Sequence, residues 1–404
     1  ITSTSSVRCS KLVDLLGYHY YTELAHSAGL SKDAIENPSL QPDEKVELLI
    51  RHLGPIQNTV QWSWMLDLCQ SLYGWSEPTI DSHNWRDLFD RTVQAAKQPD
   101  WQNQVLERSR VTQVFLTNDF DDPLQGFDTQ RFIPCLRTDD LVFHIHRSQV
   151  RHRLEQACHM SITDLKGMRE ALAKRFQYFV EHSARACAIS LPTDFAPRAP
   201  EAKAAERAFA SLLRSDDVPS QEDSRRLQEW VFWSLAELAD EYALPFDLMI
   251  GVQRRVYPGG VFQGQDLYDS RVSLIQYAEL FNAFPRVCFP VSVLASVTNQ
   301  ELVDYAWIFP NVVTHGHWWY SNTPSFIYRD LSARLEAIPR TKQIGYYSDA
   351  YKLEFILPKF RMYRRVLARV LAEDFAVQRR WSEEDCVELG YDVLRGNVQR
   401  IFHI

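Results

Sequence analysis

Seven short runs of β-branched or aromatic residues alternate with longer amphipathic segments in this chain, and this alternation restricts the possible folds more than any other feature. The short runs have the length and composition of buried strands, and the longer segments suit the crossover helices that parallel strands require. The strand runs lie at residues 111–117, 132–136, 187–191, 246–252, 287–293, 311–314 and 343–348, and the amphipathic segments at 162–182, 224–242, 268–284, 300–307 and 324–338. The pattern predicts an α/β protein with one parallel sheet and helices outside it.

The first part of the chain has a different spacing of apolar residues. From about residue 11 to 109, apolar residues recur at helical spacing, as in Leu12, Leu15 and Leu16, and no strand pattern is evident. A (β/α)₈ barrel needs eight strands, one more than the seven runs supply. We therefore predict that residues 1–404 form a single TIM (β/α)₈ barrel domain whose strand one lies upstream of Ile1. Residues 11–109 would be a helical insertion after strand one, residues 110–404 would carry strands two to eight, and a smaller insertion would occupy about 195–222.

A doubly wound open sheet of seven strands is the alternative fold. In either fold, residues that carry the chemistry belong at the carboxyl ends of the strands. Polar groups follow several of the predicted strands there, and two of them, Arg137 and Arg254, are arginines.

Composition excludes several classes of function. The chain has 44 Lys and Arg against 52 Asp and Glu, so its net charge of −8 argues against a broad basic face for nucleic acid. No apolar stretch approaches the roughly 18 residues of a membrane span, and no glycine-rich phosphate loop is present. The 7 cysteines are widely spread without a CxxC, which favours free thiols over disulfides or a thiolate zinc site. We expect a cytoplasmic protein that acts on a small molecule.

Several strings of residues carry a family resemblance in one consistent order. They are Gly17-Tyr18-His19-Tyr20, Thr117-Asn118-Asp119, IPCLRTD at 133–139, LMIGVQR at 248–254, HWWYSN at 317–322, YSD at 347–349, Tyr363-Arg364-Arg365 and GNVQRIF at 396–402. Together they resemble the uronate isomerases, which are metal-dependent TIM-barrel members of the amidohydrolase superfamily. The resemblance runs from about residue 12 to 402.

This resemblance implies an aldose-ketose isomerase that interconverts D-glucuronate with D-fructuronate or D-galacturonate with D-tagaturonate. It implies one divalent metal ion, zinc first and manganese as an alternative, held by Asp349 and by a His-x-His that we expect upstream of Ile1. Two further His-x-His strings occur, at 144–146 and 315–317. The first is expected in a solvated loop or at the start of a helix.

The resemblance also assigns roles to individual side chains. Asp349, Tyr20 and His19 would be catalytic, and the substrate would be bound by Arg137, Arg254, Trp318, Trp319 and His317. Each assignment has a structural alternative: an aromatic helix face around Tyr20, ion pairs of the arginines with Asp139 or Asp247, and plain packing of the tryptophans. A guanidinium binds a carboxylate through two parallel hydrogen bonds, which suits a sugar acid.

The match to the family breaks at the site itself. Met249 replaces the histidine of strand five and has no proton to give. Ala350 and Tyr351 follow Asp349 where the family has Ser-Arg, so Lys352 becomes the nearest cation in sequence. Two alternatives to the isomerase therefore stay open: a hydrolase or decarboxylase of the same superfamily acting on another acidic substrate, and a sugar-acid-binding barrel that has lost its activity. In each case the ligand is a small sugar acid or a related acid, and we expect a homo-oligomer.

Overall fold

The computed structural model describes residues 10–214 and 219–404 and shows an α/β fold. Its strands are β1 (Val114–Phe115), β2 (Phe132–Ile133), β3 (Cys135–Arg137), β4 (Ala186–Pro192), β5 (Phe246–Gln253), β6 (Leu267–Tyr268), β7 (Phe289–Val293), β8 (Val312–His315) and β9 (Gln343–Ile344). Each of the seven predicted strand runs overlaps at least one of these strands, and the run at 132–136 is divided into β2 and β3 by Pro134.

The order of the strands in the sheet follows their order in the sequence. β1 pairs with β2 in parallel, a bridge between Asn118 and Leu136 continues this contact to β3, and the parallel order then runs β3-β4-β5-β7-β8-β9. A doubly wound sheet reverses its strand order at a switch point, and this sheet does not. Sequential parallel pairing is the topology of a barrel wall, so the doubly wound alternative is wrong.

Helices form the first part of the chain and the outer layer. They are α1 (Leu12–Leu16), α2 (His19–Ser27), α3 (Lys32–Ile35), α4 (Pro42–His52), α5 (Val60–Tyr73), α6 (Trp85–Ala96), α7 (Trp101–Ser109), α8 (Asp139–Phe143), α9 (Ser148–Cys158), α10 (Leu165–Glu181), α11 (Ala202–Arg214), α12 (Gln221–Glu241), α13 (Ala278–Ala283), α14 (Asn299–Ile308), α15 (Pro324–Ala337), α16 (Ile356–Val370), α17 (Glu383–Tyr391) and α18 (Asn397–Phe402). Two π-helical segments, Leu371–Val377 and Asp392–Gly396, connect the last three. No helix among the described residues has the length and apolar character needed to cross a membrane.

One predicted crossover helix is largely wrong. The segment 268–284 begins with β6, which pairs antiparallel with β5, and only Ala278–Ala283 is an α-helix after a 3₁₀ turn at Leu274–Tyr277. Ser273 accepts a hydrogen bond from the backbone N–H of Ile275 and starts that turn, so the apolar spacing that suggested one long helix is divided between two short elements.

The interior of the sheet is open because the inward-facing side chains of β4 are small. Ala186, Ala188 and Ser190 face the same cavity as Cys135 and Met249 on the neighbouring strands. This cavity has a volume of about 850 Å³. One side of the cavity is lined by residues 111–117 around β1, and another side by Ile344 of β9 and the C-terminal helices. Among the described residues, β1 and β9 do not pair with each other.

Candidate active site

Asp349 stands just beyond the end of β9 and lines the cavity. Its φ of 44° lies in the left-handed region, which aspartate tolerates better than most residues. The phenol of Tyr18 donates a hydrogen bond of 3.0 Å to the carbonyl oxygen of Asp349 and so stabilises this unusual turn. The backbone conformation thereby fixes the direction in which the Asp349 side chain points.

A buried lysine lies behind the Asp349 turn. Lys359 has no exposed surface, and its ammonium donates a hydrogen bond of 2.8 Å to the carbonyl oxygen of Ser348. The rings of Tyr18, Tyr20 and Trp64 surround the ammonium at 5.6, 4.8 and 5.0 Å, and we call these three rings the aromatic cage. Burial lowers the pKa of Lys359 to about 7, although the negative charge of Asp349 acts in the opposite direction.

Of the two catalytic residues predicted in the first helical region, His19 reaches the cavity and Tyr20 does not. The Nδ1 atom of His19 lies 2.7 Å from a carboxylate oxygen of Glu23, one helical turn later. Tyr20 is only 4% exposed, and its hydroxyl has no hydrogen-bond partner among the described residues. Successive side chains of a helix point about 100° apart, so α2 directs one of the pair to the cavity and the other into the aromatic cage.

Both predicted arginines line the cavity, and each is paired with an aspartate. The Nε atom of Arg137, at the end of β3, lies 3.2 Å from Asp139, and this carboxylate raises the pKa of the guanidinium. Arg254, just after β5, contacts Asp266 at 2.7 Å. Their side chains remain 38% and 51% exposed, so both retain donors for a ligand.

The two tryptophans that follow β8 form part of the cavity wall. Trp319 has a φ of 41° and stacks on Tyr320, with ring centroids 4.8 Å apart. His317 is 1% exposed, and neither of its nitrogens has a partner among the described residues. Burial and, to a lesser extent, the charge of Arg334 lower the pKa of His317 well below its usual range, so its imidazole is neutral.

The alternation that would place His315 and His317 on one face is broken at Gly316. This glycine has a φ of 54°, and a Cβ atom on it would lie 2.3 Å from the ring of Tyr347. The turn sends His317 behind the wall, whereas His315 still lines the cavity. In this conformation His315 takes the interior position and His317 does not line the cavity. The contact of His317 with the substrate stays a prediction.

Tyr351 lies among the predicted site residues, at the position where the resemblance places an arginine. Its ring is 5.6 Å from that of His19. Burial and then the charge of Asp349 raise the pKa of Tyr351 to about 12, while Arg137 and Arg254 act in the opposite direction. The phenol therefore keeps its proton at neutral pH and can donate a hydrogen bond in the cavity.

Five arginines and four aspartates supply the charges of the cavity wall. The cationic residues of the wall are Arg110, Arg137, Arg254, Arg364 and Arg395, and the aspartates are Asp119, Asp247, Asp266 and Asp349. Lys352, the cation expected to replace the missing arginine, does not line the cavity. Sequence analysis did not single out Lys359 and named Asp247 only as a possible ion-pair partner of an arginine, because each stands in an apolar stretch typical of a buried core.

The described residues contain no group of three or more His, Cys, Asp or Glu that could hold a metal ion. This part of the chain therefore does not form a complete metal site, and Asp349 as a metal ligand stays a prediction. His144 and His146 lie beyond α8, away from the cavity lining, with their rings 6.2 Å apart.

Comparison with known proteins identifies the family of this chain. A profile of the family described as glucuronate isomerase matches residues 10–402, nearly the full length of the chain. The chain belongs to the glucuronate isomerase family. The family relationship predicted from the ordered motifs is thus confirmed, and the activity that defines this family is the isomerisation of an aldose to a ketose.

Individual members of the glucuronate isomerase family are distant from this chain in sequence and close in fold. The curated uronate isomerase of Streptococcus equi subsp. zooepidemicus (strain MGCS10565) is 22% identical over 417 residues, which cover 95% of this chain and 86% of the relative. The crystal structure of uronate isomerase from Thermotoga maritima has a TM-score of 0.89 at 18% identity and covers 99% of this chain and 92% of that chain. The glucuronate isomerase from Caulobacter crescentus has a TM-score of 0.89 at 20% identity, covering 100% and 89%.

Proposed function

We propose that this member of the glucuronate isomerase family interconverts an aldohexuronate with its keto form, either D-glucuronate with D-fructuronate or D-galacturonate with D-tagaturonate. The observation that carries the proposal is that Asp349, His19 and the two arginines line one cavity, although they come from four separate segments of the chain. Such a wall offers cationic groups to a carboxylate and polar groups to hydroxyls, as a sugar acid requires.

The positions of the side chains in the cavity support the following proposed roles. Arg137 and Arg254 bind the carboxylate of the substrate, and Trp318 and Trp319 contact the apolar face of the sugar. His19 and Tyr351 hydrogen-bond substrate hydroxyls. Tyr20 and His317 have no substrate contact in this proposal, because neither lines the cavity.

The proposal includes a divalent ion, zinc or manganese, with Asp349 as one of its ligands. The ion would act on the substrate carbonyl as a Lewis acid. Because the ligand set is incomplete within the described residues, we derive no reaction step through the ion. The other ligands would come from a His-x-His on a strand lying between β9 and β1, which would also complete the barrel. Residues 11–109 and about 195–222 would then be insertions into one barrel domain.

Conversion of hexuronates is the direct test. Full-length protein loaded with Zn²⁺ or Mn²⁺ is expected to convert D-glucuronate or D-galacturonate to the keto form, as followed by proton NMR. A chelator is expected to remove the activity and added metal to restore it. If the loaded protein converts none of a panel of hexuronates and related aldonic acids, the proposed function is wrong.

Removal of either arginine is expected to weaken substrate binding. The variants Arg137→Met and Arg254→Met should raise KM by about tenfold or more, because a hydrogen bond to a charged group contributes about 1.5–3 kcal/mol. Steady-state kinetics on a hexuronate measures this. Arg271→Met is the matched control, since Arg271 also pairs with an aspartate but is 84% exposed and outside the cavity. An unchanged KM in both cavity variants would exclude these residues as the carboxylate site.

Location and assembly are further parts of the proposal. We place the protein in the cytoplasm, which suits the six free cysteines of the described residues; Cys9 lies outside these residues.

We also propose a homo-oligomer. Exposed apolar side chains between β5 and α13, namely Tyr257 (51%), Phe262 (75%) and Ile275 (67%), give it a candidate contact surface. Light scattering after size-exclusion chromatography measures the oligomeric state.

A further inference from the structure

We propose that Asp247 and His315 form a catalytic dyad in which His315 is the base that carries the proton between C2 and C1 of the substrate. This inference rests on the proposed function and adds a catalytic group to it. The Nδ1 atom of His315 lies 3.1 Å from Oδ1 of Asp247, and both residues line the same cavity as Asp349. Their side chains are only 10% and 17% exposed, so water has limited access to the pair.

The sheet brings the two residues together across an intervening strand. Asp247 is the second residue of β5 and His315 the last of β8, and β7 separates these strands. In the register of the sheet, Asp247 is opposite Ala188, which is opposite Arg137. Neighbouring strands lie about 4.8 Å apart, so Arg137 and Asp247 stand about 10 Å from each other with only an alanine methyl group between them. A six-carbon acid held by its carboxylate on Arg137 can extend its other carbons toward His315.

The hydrogen bond to Asp247 selects the tautomer of the neutral imidazole. An ionised carboxylate only accepts hydrogen bonds, so Nδ1 carries the hydrogen and Nε2 of the neutral ring has a free lone pair. The contact with Asp247 uses Nδ1 of His315 and does not involve Nε2. The ring of Tyr347 lies 4.6 Å from the His315 ring and belongs to the segment that leads into Asp349. His315 thus lines the cavity, and Asp247 and Tyr347 hold its ring in place from two sides.

The proposed step conserves every atom and electron pair. Nε2 takes the proton from C2 of the open-chain aldehyde, the C2–H electron pair becomes the second bond between C1 and C2, and the carbonyl electron pair moves to O1. The hydroxyl proton of O2 passes to O1 as the carbonyl forms at C2. Nε2–H then returns its proton to C1, which gives the ketose and restores neutral His315. The carboxylate of Asp247 stabilises the imidazolium that exists between the two transfers.

Two variants and a rescue test the dyad in the metal-loaded full-length protein. His315→Gln removes the base but keeps an amide that can donate to Asp247, and Asp247→Asn favours the wrong tautomer of the ring. Each is expected to lower kcat about a hundredfold or more, with KM changed only a few-fold, because general acid-base catalysis contributes about 10²–10⁴. In D₂O, both variants should also lose the exchange of the C2 hydrogen with solvent. His315→Ala should recover part of its activity and exchange when imidazole is added, which a structural role does not predict.

The control is His152→Gln, since His152 is 67% exposed and far from the cavity lining. The control is expected to behave like the unchanged protein. If the unchanged protein isomerises a hexuronate and both dyad variants keep its kcat and its C2 exchange, the dyad is overturned while the proposed function stands. If the unchanged protein neither converts nor exchanges any hexuronate, the proposed function fails and the dyad fails with it.

Discussion

Asp349→Asn is expected to abolish the isomerisation, with a loss of about 10³-fold or more in kcat/KM, equivalent to about 4 kcal/mol of transition-state stabilisation. The substitution removes one negative charge and changes little else, because asparagine tolerates the left-handed region that Asp349 occupies at a φ of 44°. The variant should fold normally and should bind less Zn²⁺ or Mn²⁺ than the unchanged protein. Both results follow if the carboxylate is a ligand of the ion.

A second substitution separates charge from backbone geometry. Asp349→Ala removes the same carboxylate and adds backbone strain of about 1 kcal/mol, since alanine disfavours a positive φ. Its activity should match that of Asp349→Asn, while its melting temperature should be lower. Hexuronate kinetics, metal analysis and thermal unfolding measure these effects. Retention of full activity by Asp349→Asn would remove this residue from the catalytic set.

Lys359 is expected to make the protein more stable as the pH rises above neutral. Its pKa is lowered to about 7 in the folded protein, against about 10.4 in an unfolded chain. Between these values the unfolded chain binds more protons than the folded protein, so the free energy of unfolding rises by about 1.4 kcal/mol per pH unit, or about 5 kcal/mol in total. Below pH 7 the ammonium is charged in both states, and the folded protein bears the full cost of burying it.

The measurement compares chemical denaturation of the unchanged protein and Lys359→Met from pH 6 to 10, with chelator present to hold metal binding constant. The stability of the unchanged protein relative to Lys359→Met should change little near pH 6 and rise from about pH 7 to 10. Lys97→Met is the control, because Lys97 is exposed at the end of α6 and should produce no such slope. Parallel pH curves for the unchanged protein and Lys359→Met would contradict the buried, depressed lysine.

The sheet was predictable from sequence because its signal is local. Buried parallel strands are continuous apolar runs, so β4, β5 and β7 stand out between amphipathic helices. The segment 268–284 failed for the opposite reason: its apolar residues serve an antiparallel strand, a 3₁₀ turn and a short helix, and spacing alone does not separate these.

The site was only partly predictable, since motifs identify residues but not the direction of their side chains. His19, Arg137, Arg254, Trp318, Trp319 and Asp349 all line the cavity. Tyr20 does not, because a neighbouring helical residue takes the inward direction, and His317 does not, because Gly316 turns the chain. Lys359 and the Asp247–His315 pair depend on contacts between distant segments, which a single sequence does not reveal.

The contacts behind the Asp349 turn join parts of the chain that are synthesised far apart in time. Tyr18 is separated from Asp349 by 331 positions, and the backbone N–H of Ser10 contacts Glu354 across 344. The three residues of the aromatic cage are synthesised early, whereas Lys359, whose ammonium they surround, is synthesised near the end of the chain. Such non-local contacts form slowly, and until they form the apolar faces of α2 and α5 are open to chaperones and to aggregation. The order of synthesis therefore makes the Asp349 turn one of the last parts of the protein to become structured.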